Sequence, residues 1–300
     1  MDGFSSTDEY LEWLWNHPVE RQNRHLELRQ AHTTYLTDQA EATDIWASAR
    51  IASFLSKSFS FQAKPGLLDA GCGAGRYLAL LSQKPAFEVQ LAVGLDRNRE
   101  ALAEAQRTLR GRHEISLVQG NVRKLPFKAG SFGAAMCNRM LNQTGDIAAA
   151  LSQVADVLVD GGLLFIVTAD SELVSPLRVA HLAALQRLNF PEKLYRSSTP
   201  PDQRLNLQNG KAWLEPRFQF EALELYERRL SFTDPALLME YYASGLLFQK
   251  SAGMAEPGIN ARRWATLYAS IKEELAGLMA ASGQLTFSDG AALFVASRKI

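Results

Sequence analysis

The sequence predicts an α/β fold built on a doubly wound parallel sheet, and three observations support this. From about residue 64, short apolar runs alternate with amphipathic stretches, which is typical of parallel strands joined by helices. Most of these runs end in a glycine or a polar residue, as in GLLDA, VQLAVGLD, ISLVQG, FGAAMCN and LLFIVTAD. A loop with three glycines follows the first run. Since ligands of such sheets bind at the carboxyl ends of the strands, the loop predicts a binding site.

The composition limits the classes of function. With 300 residues, 47% of them hydrophobic and 21% charged, the chain can bury a core. Lys and Arg (32) balance Asp and Glu (32), so no net field attracts nucleic acid or an anionic membrane. Cys72 and Cys137 are too few for a disulfide framework, and no metal-ligand spacing is present. The N-terminus has no basic, apolar leader, and no long apolar window follows. We therefore expect a cytoplasmic protein without a metal or a transmembrane segment.

The first sixty residues predict a helical segment. Ser6 and Glu9 fit a capping box, and His17-Pro18 ends the helix that follows. A second helical pattern runs from about residue 20 to residue 55. We assign residues 1–60 to an N-terminal helical lid and residues 61–300 to the core.

The strand and helix alternation lapses after Asp170. Residues 171–216 mix helix and loop signals, and a long excursion of this kind usually covers a functional edge. We therefore predict a helical cap insertion at about 171–216. FQFEALELYERRLSF then alternates like a strand, Asp234-Pro235 begins a helix, another helix spans roughly 261–281, and GAALFVASRK is the last strand.

The glycine loop indicates which ligand it binds. A dinucleotide site needs glycine at positions 71, 73 and 76, but Arg76 stands at the last of these. The observed pattern is Asp69-x-Gly71-x-Gly73-x-Gly75. A carboxylate at this place repels a pyrophosphate and attracts a ligand that carries an ammonium or a sulfonium group.

This pattern resembles the first motif of the class I S-adenosylmethionine-dependent methyltransferases. Four further stretches agree in order: VGLDRN, QGNVRKLPF, FGAAMCNRMLNQ and VLVDGGLLFIVTAD. The resemblance covers about residues 64–170. The overall arrangement of the chain is similar to that of the ubiquinone- and menaquinone-pathway methyltransferases, which act on small molecules. It implies S-adenosylmethionine as cofactor and S-adenosylhomocysteine as product. It also implies a Rossmann-like seven-stranded sheet, in the order 3-2-1-4-5-7-6 with the last strand antiparallel.

The resemblance assigns the cofactor contacts residue by residue. The glycine loop with its acid approaches the nucleoside and amino-acid portions through Asp69, Gly71, Cys72, Gly73 and Gly75. Asp96 follows at nearly the offset of about 20 residues at which an acid accepts ribose hydroxyls in dinucleotide folds. Arg97, Asn121 and Val122 lie toward adenine, and Asn138 lies toward the methionine end. The family more often has aspartate at the position of Asn121, so a plain turn residue is an equal alternative there.

The acceptor is the open part of the hypothesis. We expect methyl transfer to an oxygen, nitrogen or carbon of a small metabolite, and the sequence identifies no base. His181, Tyr195 and Tyr241, in or near the presumed cap, are the catalytic candidates, with core packing as their alternative. An RNA or tRNA base methyltransferase and a catalytically silent binding subunit are the other hypotheses. The balanced charge disfavours nucleic acid, and a homodimer is left open.

Overall fold

The computed structural model describes residues 5–35, 43–58, 66–84, 91–169, 175–195, 204–245, 259 and 261–300. The chain divides into two compact units, each built from three segments. Unit 1 comprises Met1–Asp38, Ser171–Ser198 and Glu227–Asp289. Unit 2 comprises Gln39–Asp170, Thr199–Tyr226 and Gly290–Ile300. The predicted lid and cap functions of residues 1–60 and 171–216 stay predictions, and residues 171–174 and 196–203 lie outside the described part.

The sheet has eight strands in the described residues. In chain order they are β1 (Thr33–Tyr35), β2 (Leu67–Ala70), β3 (Ala92–Asp96), β4 (Ile115–Gln119), β5 (Phe132–Met136), β6 (Leu158–Ala169), β7 (Phe218–Phe232) and β8 (Leu285–Arg298). Their spatial order is β4-β3-β2-β5-β6-β8-β7-β1. Parallel pairing joins the first five strands of this spatial order, from β4 through β3, β2 and β5 to β6, and β8 pairs antiparallel with β6. Counted from β2, this is the predicted order with its antiparallel last strand, so the fold class is confirmed.

Strand β1 adds an eighth member that the sequence analysis placed inside a helix. The predicted second helix is interrupted: α2 (Pro18–Ala31) ends before this strand, and α3 (Thr43–Ser58) begins after it. Thr33 pairs antiparallel with Leu230 of β7. The β-branched and aromatic residues of β1 favour an extended chain once a neighbouring strand is present. Residues 36–42 lie outside the described part.

Unit 2 carries the parallel strands and the helices that connect them. The connecting helices are α4 (Arg76–Leu81), α5 (Arg99–Thr108) and α6 (Ile147–Val157), while α3 (Thr43–Ser58) precedes β2 and α8 (Gly210–Leu214) precedes β7. Asn98 caps α5 by accepting from the Glu100 amide at 2.8 Å, and Asp146 caps α6 in the same way. The strand residues of β2 and β5 are buried on both faces, as parallel sheets require. This rigid layer holds the strand ends in place.

Unit 1 is helical apart from strand residues at its edge. Its helices are α1 (Thr7–Asn16), α2 (Pro18–Ala31), α7 (Pro176–Arg187), α9 (Pro235–Ser244) and α10 (Ala261–Ser282). The predicted N-cap of α1 is present, because the Ser6 hydroxyl accepts a hydrogen bond from the Glu9 amide at 3.2 Å. Asp234 accepts from the Ala236 amide at 2.7 Å and begins α9 as predicted. Among the described residues, no helix has both the length and the apolar character needed to span a membrane.

Candidate functional site

The turn between β2 and α4 is built from three glycines in the left-handed region. Gly71, Gly73 and Gly75 have φ of 80°, 53° and 76°, a region that L side chains rarely adopt. A Cβ at Gly71 would lie 2.8 Å from the Met140 side chain, and one at Gly75 would lie 2.9 Å from Leu109. A Cβ at Gly73 would meet nothing within 4 Å. The outer glycines therefore permit close packing, while Gly73 presents bare backbone to open space.

Asp96 ties the end of β3 to this turn. Its Oδ2 accepts a hydrogen bond from the Gly73 amide at 2.9 Å, and its Oδ1 accepts one from the Asn98 amide at 2.8 Å. Each carboxylate oxygen has two lone pairs, so one on each oxygen stays available. Asp96 can therefore hold the turn and accept two ligand hydroxyls at the same time.

A cleft opens beside this turn at the carboxyl end of the sheet. Five predicted cofactor contacts line it: Gly71, Asp96, Arg97, Asn121 and Val122. Five residues that the sequence analysis did not assign also line it: Leu95, Gly120, Met140, Gln143 and Thr144. Four of these five lie within the stretches quoted for the resemblance, and Thr144 directly follows one of them, so position in the sequence was the available signal.

Asn121 serves a turn as well as lining the cleft. Its side-chain Oδ1 accepts from the Arg123 amide at 3.0 Å, and its backbone carbonyl accepts from the Lys124 amide at 2.9 Å. Both interpretations of Asn121 are therefore compatible with its position, because Oδ1 keeps a second lone pair. The adenine contact stays a prediction.

Asp69 lies deeper, on β2, with its carboxylate buried. Its Oδ2 has no hydrogen-bond partner among the described residues. Burial, helped by the nearby charge of Asp96, raises the pKa of Asp69 to about 7. An ammonium group placed against Oδ2 would satisfy it and favour its charged form.

Two further buried polar atoms near Asp69 also lack a partner within the described chain. They are the Tyr77 hydroxyl and Nδ2 of Asn138. Asp69 pairs in register with Met136, and Asn138 follows two residues later, so both leave the sheet at the same edge. An unpaired buried polar group costs about 1–3 kcal/mol. One acceptor and two donors left open match the ammonium and carboxylate groups of an amino acid, so these residues fit the methionine end of the proposed cofactor.

The two cysteines are buried thiols. Cys72 lies within the glycine turn, and its sulfur would be 3.0 Å from a Cβ placed on Gly94 of β3. Burial raises the pKa of both Cys72 and Cys137 well above the ordinary thiol value. Cys72 therefore packs the turn against β3, and its predicted cofactor contact stays untested.

The three catalytic candidates lie in unit 1. A His181 ring nitrogen is hydrogen bonded to the Tyr242 hydroxyl at 2.6 Å, and burial lowers the pKa of His181 to about 4. Tyr241 stacks on His25 with ring centroids 4.5 Å apart, and Tyr195 packs against the same apolar core. Their alternative, core packing, has direct structural support, and their catalytic role stays a prediction.

Known proteins are similar to this chain over the region that contains the glycine turn and the parallel strands. Residues 68–166 match the family model described as "Methyltransferase domain". A malonyl-[acyl-carrier protein] O-methyltransferase of Legionella pneumophila is 28% identical over 42% of this chain and 44% of its own length. A demethylmenaquinone methyltransferase of Lactococcus lactis is 33% identical over 32% of this chain and 38% of its own length.

A solved structure shows the same fold over a longer stretch. The YcgJ protein of Bacillus subtilis superimposes with a TM-score of 0.53 at 17% identity, over 84% of this chain and 99% of that one. By sequence, the chain spans less than half the length of the two enzymes above. The match to a methyltransferase domain agrees with S-adenosylmethionine, the predicted methyl donor. The match over residues 68–166, together with these relatives and the shared fold, confirms the resemblance to the class I S-adenosylmethionine-dependent methyltransferases that the sequence predicts.

Proposed function

We propose that the protein transfers a methyl group from S-adenosylmethionine to an oxygen, nitrogen or carbon of a small metabolite by in-line displacement. The observation that carries the proposal is the pairing of Gly73 with Asp96. Bare backbone faces open space at Gly73, and the carboxylate that holds it keeps two lone pairs for ribose hydroxyls. Arg97, Asn121 and Val122 line the same cleft toward adenine. Asp69 and Asn138 supply an open acceptor and an open donor for the amino-acid end.

The residues of the site contribute mainly position. Bound S-adenosylmethionine supplies a methyl group on a positively charged sulfur, which is an intrinsically good electrophile. By holding the ribose, Asp96 would orient that methyl group toward the acceptor. Alignment of this kind lowers a barrier by roughly 7–11 kcal/mol. A base is needed only when the acceptor arrives protonated, so the proposal does not depend on His181, Tyr195 or Tyr241.

Two considerations support a small-molecule acceptor. The balanced charge of 32 basic and 32 acidic residues provides no general attraction to nucleic acid. The two relatives above are named for a malonyl group on a carrier protein and for demethylmenaquinone, and neither name denotes a nucleic acid. We include a cytoplasmic location and a homodimer in the proposal as the sequence-based expectations.

Calorimetric titration with S-adenosylmethionine tests the cofactor site. Asp96→Ala should weaken binding about ten- to a hundredfold, since a hydrogen bond to a charged group contributes about 1.5–3 kcal/mol. Gly73→Val should also weaken binding, because its side chain would fill the open space beside the turn, where φ is 53°. Asp160→Ala is the matched control, because Asp160 is an exposed aspartate of the same unit. Equal heats from all four proteins would contradict the assignment.

A second measurement separates an enzyme from a silent binding subunit. Saturating cofactor should raise the melting temperature, because a ligand that binds the folded state stabilises it. Release of S-adenosylhomocysteine from a panel of metabolites should then follow. Stabilisation without turnover on any metabolite, but with turnover on tRNA, would move the proposal to nucleic acid.

A further inference from the structure

The end of α5 and the turn after it form a second depression in unit 2, separate from the cofactor cleft. It has a volume of about 430 Å³, and it shares no lining residue with that cleft. Small-molecule sites typically have volumes of about 300–1,000 Å³. Seven residues line the depression: Gln106, Arg107, Leu109, Arg110, Gly111, Arg112 and His113. One short segment of the chain therefore provides a concave surface of the size that a small ligand needs.

The lining of this depression is basic. Three arginines and one histidine contribute to it, and none of the lining residues is acidic. A cation at the C-terminal end of a helix complements the helix dipole, and Arg107 is paired with Glu104, so neither fact by itself indicates a ligand. The Arg110 and His113 side chains, however, are exposed and form no hydrogen bond or ion pair with another described residue. Positive charge is thus left without a counter-charge at this end of α5.

The backbone beneath these side chains is held in place. Leu109 is buried, and its side chain packs against the glycine turn, where it would lie 2.9 Å from a Cβ on Gly75. The Arg112 amide donates to the Leu109 carbonyl at 3.0 Å, and the Arg112 guanidinium donates to the Ser82 carbonyl at 3.3 Å. Gly111 has φ of 84°, and an added Cβ would meet nothing within 4 Å. The turn is therefore preformed, and its backbone is open to a ligand.

We propose that this depression binds a small ligand through a di- or triphosphate group. Guanidinium groups match the geometry of phosphate oxygens, and a ligand with several negative charges suits a lining with three arginines. No Phe, Tyr or Trp lines the depression, so it lacks the stacking platform on which the bases of nucleic acids bind. The site recognises charge rather than a base. It goes beyond the proposed methyl transfer, because it uses none of the residues assigned to the cofactor.

Calorimetric titration with inorganic triphosphate tests the site. The protein is first saturated with S-adenosylhomocysteine, so that the cofactor cleft is occupied. We expect one equivalent of triphosphate to bind, more tightly than orthophosphate, and the affinity to fall as the salt concentration rises. Arg110→Gln should weaken triphosphate binding about tenfold, since a charge-assisted contact is lost, and adding His113→Gln should weaken it further. Both variants should melt as the wild type does, because these side chains have no partner in the described structure.

Arg123→Gln is the matched control. Arg123 is an exposed arginine of the same unit that does not line the depression. The variant removes the same charge as Arg110→Gln, but it should leave the affinity for triphosphate within about twofold, because salt screens charges that do not contact the ligand.

The outcomes decide separate questions. The proposal is wrong if triphosphate does not bind, or if Arg110→Gln and Arg123→Gln weaken its binding equally. It is also wrong if a short single-stranded RNA binds far more tightly than triphosphate and Arg110→Gln abolishes that binding, since the ligand would then be a nucleic acid. If the wild type binds triphosphate but not S-adenosylhomocysteine, the proposed function fails while this site stands.

Discussion

The carboxylate of Asp96 accepts a hydrogen bond from the backbone amide of Gly73 at 2.9 Å, which joins the end of one strand to the turn after its neighbour. A second bond, from the Asn98 amide, occupies the other oxygen. Asp96→Asn has only one acceptor oxygen, so one of the two bonds is lost. We expect the free energy of unfolding without ligand to fall by about 1–2 kcal/mol, measured by urea denaturation. Asp160→Asn should stay within about 0.5 kcal/mol of the wild type, and an equal loss there would contradict the prediction.

Gly73 and Gly130 form a matched pair for separating backbone strain from ligand access. Both have positive φ, 53° and 64°, and at both an added Cβ meets nothing within 4 Å. Alanine at either position should lower the free energy of unfolding by about 1–2 kcal/mol, because the conformation is left-handed. Of the two variants, only Gly73→Ala should weaken cofactor binding, since Gly73 lies in the glycine turn between β2 and α4 and Gly130 does not. Comparable cofactor affinities of the two variants in calorimetry would contradict the assignment of the glycine turn to cofactor binding.

Asp69 should make the protein less stable as the pH rises. Its carboxyl ionises near pH 4 in the unfolded chain but near pH 7 in the folded protein, because it is buried close to Asp96. The folded state therefore binds more protons between these values, and its stability falls as pH rises through them. Relative to Asp69→Asn, the wild type should lose up to about 4 kcal/mol between pH 4 and pH 8. Urea denaturation of both proteins across this range measures the difference, and parallel curves would refute it.

His181 should have the opposite dependence. Burial, assisted by the positive charge of Arg178, lowers the pKa of His181 to about 4, below the value of the unfolded chain. The unfolded chain thus binds a proton first, and stability is lost as the pH falls from about 6.5 to about 4. His181→Gln keeps a polar partner for Tyr242 without titrating, so the wild type should lose about 3 kcal/mol relative to it over this range. Thermal unfolding at several pH values provides the measurement. A constant difference between the proteins would contradict the prediction.

Local patterns were sufficient for most of the fold. The alternation over residues 218–232 predicted β7 because each second side chain of that strand is exposed. Asp234-Pro235 predicted the start of α9 because the cap and the proline act on their immediate neighbours. Strand β1 was missed because three residues carry too little periodicity, and their conformation depends on pairing with β7, about 200 residues away in sequence.

In the candidate site as well, local spacing predicted some residues and missed others. The glycine turn and Asp96 follow local spacing, so they could be assigned from the sequence. Gln143 and Thr144 reach the cleft through a short 3₁₀ turn at Leu141–Gln143, and this turn was not predicted although Gln143 ends one of the stretches quoted for the resemblance. Arg139, directly after β5, has φ of 57°, and this left-handed backbone could not be predicted either, because arginine has no preference for it. It is held by the hydrogen bond from the Arg139 amide to the Val167 carbonyl of β6, a contact distant in sequence.

The place of β8 in the sheet has a consequence for biosynthesis. Strand β8 lies between β6 and β7, although both of these emerge from the ribosome earlier. Until residues 285–298 have been translated, β6 and β7 each lack a neighbour and present open edges, which invite pairing with other nascent chains. Completion of the sheet is therefore a late event in synthesis, and expression of this protein should respond to chaperones that shield exposed strands.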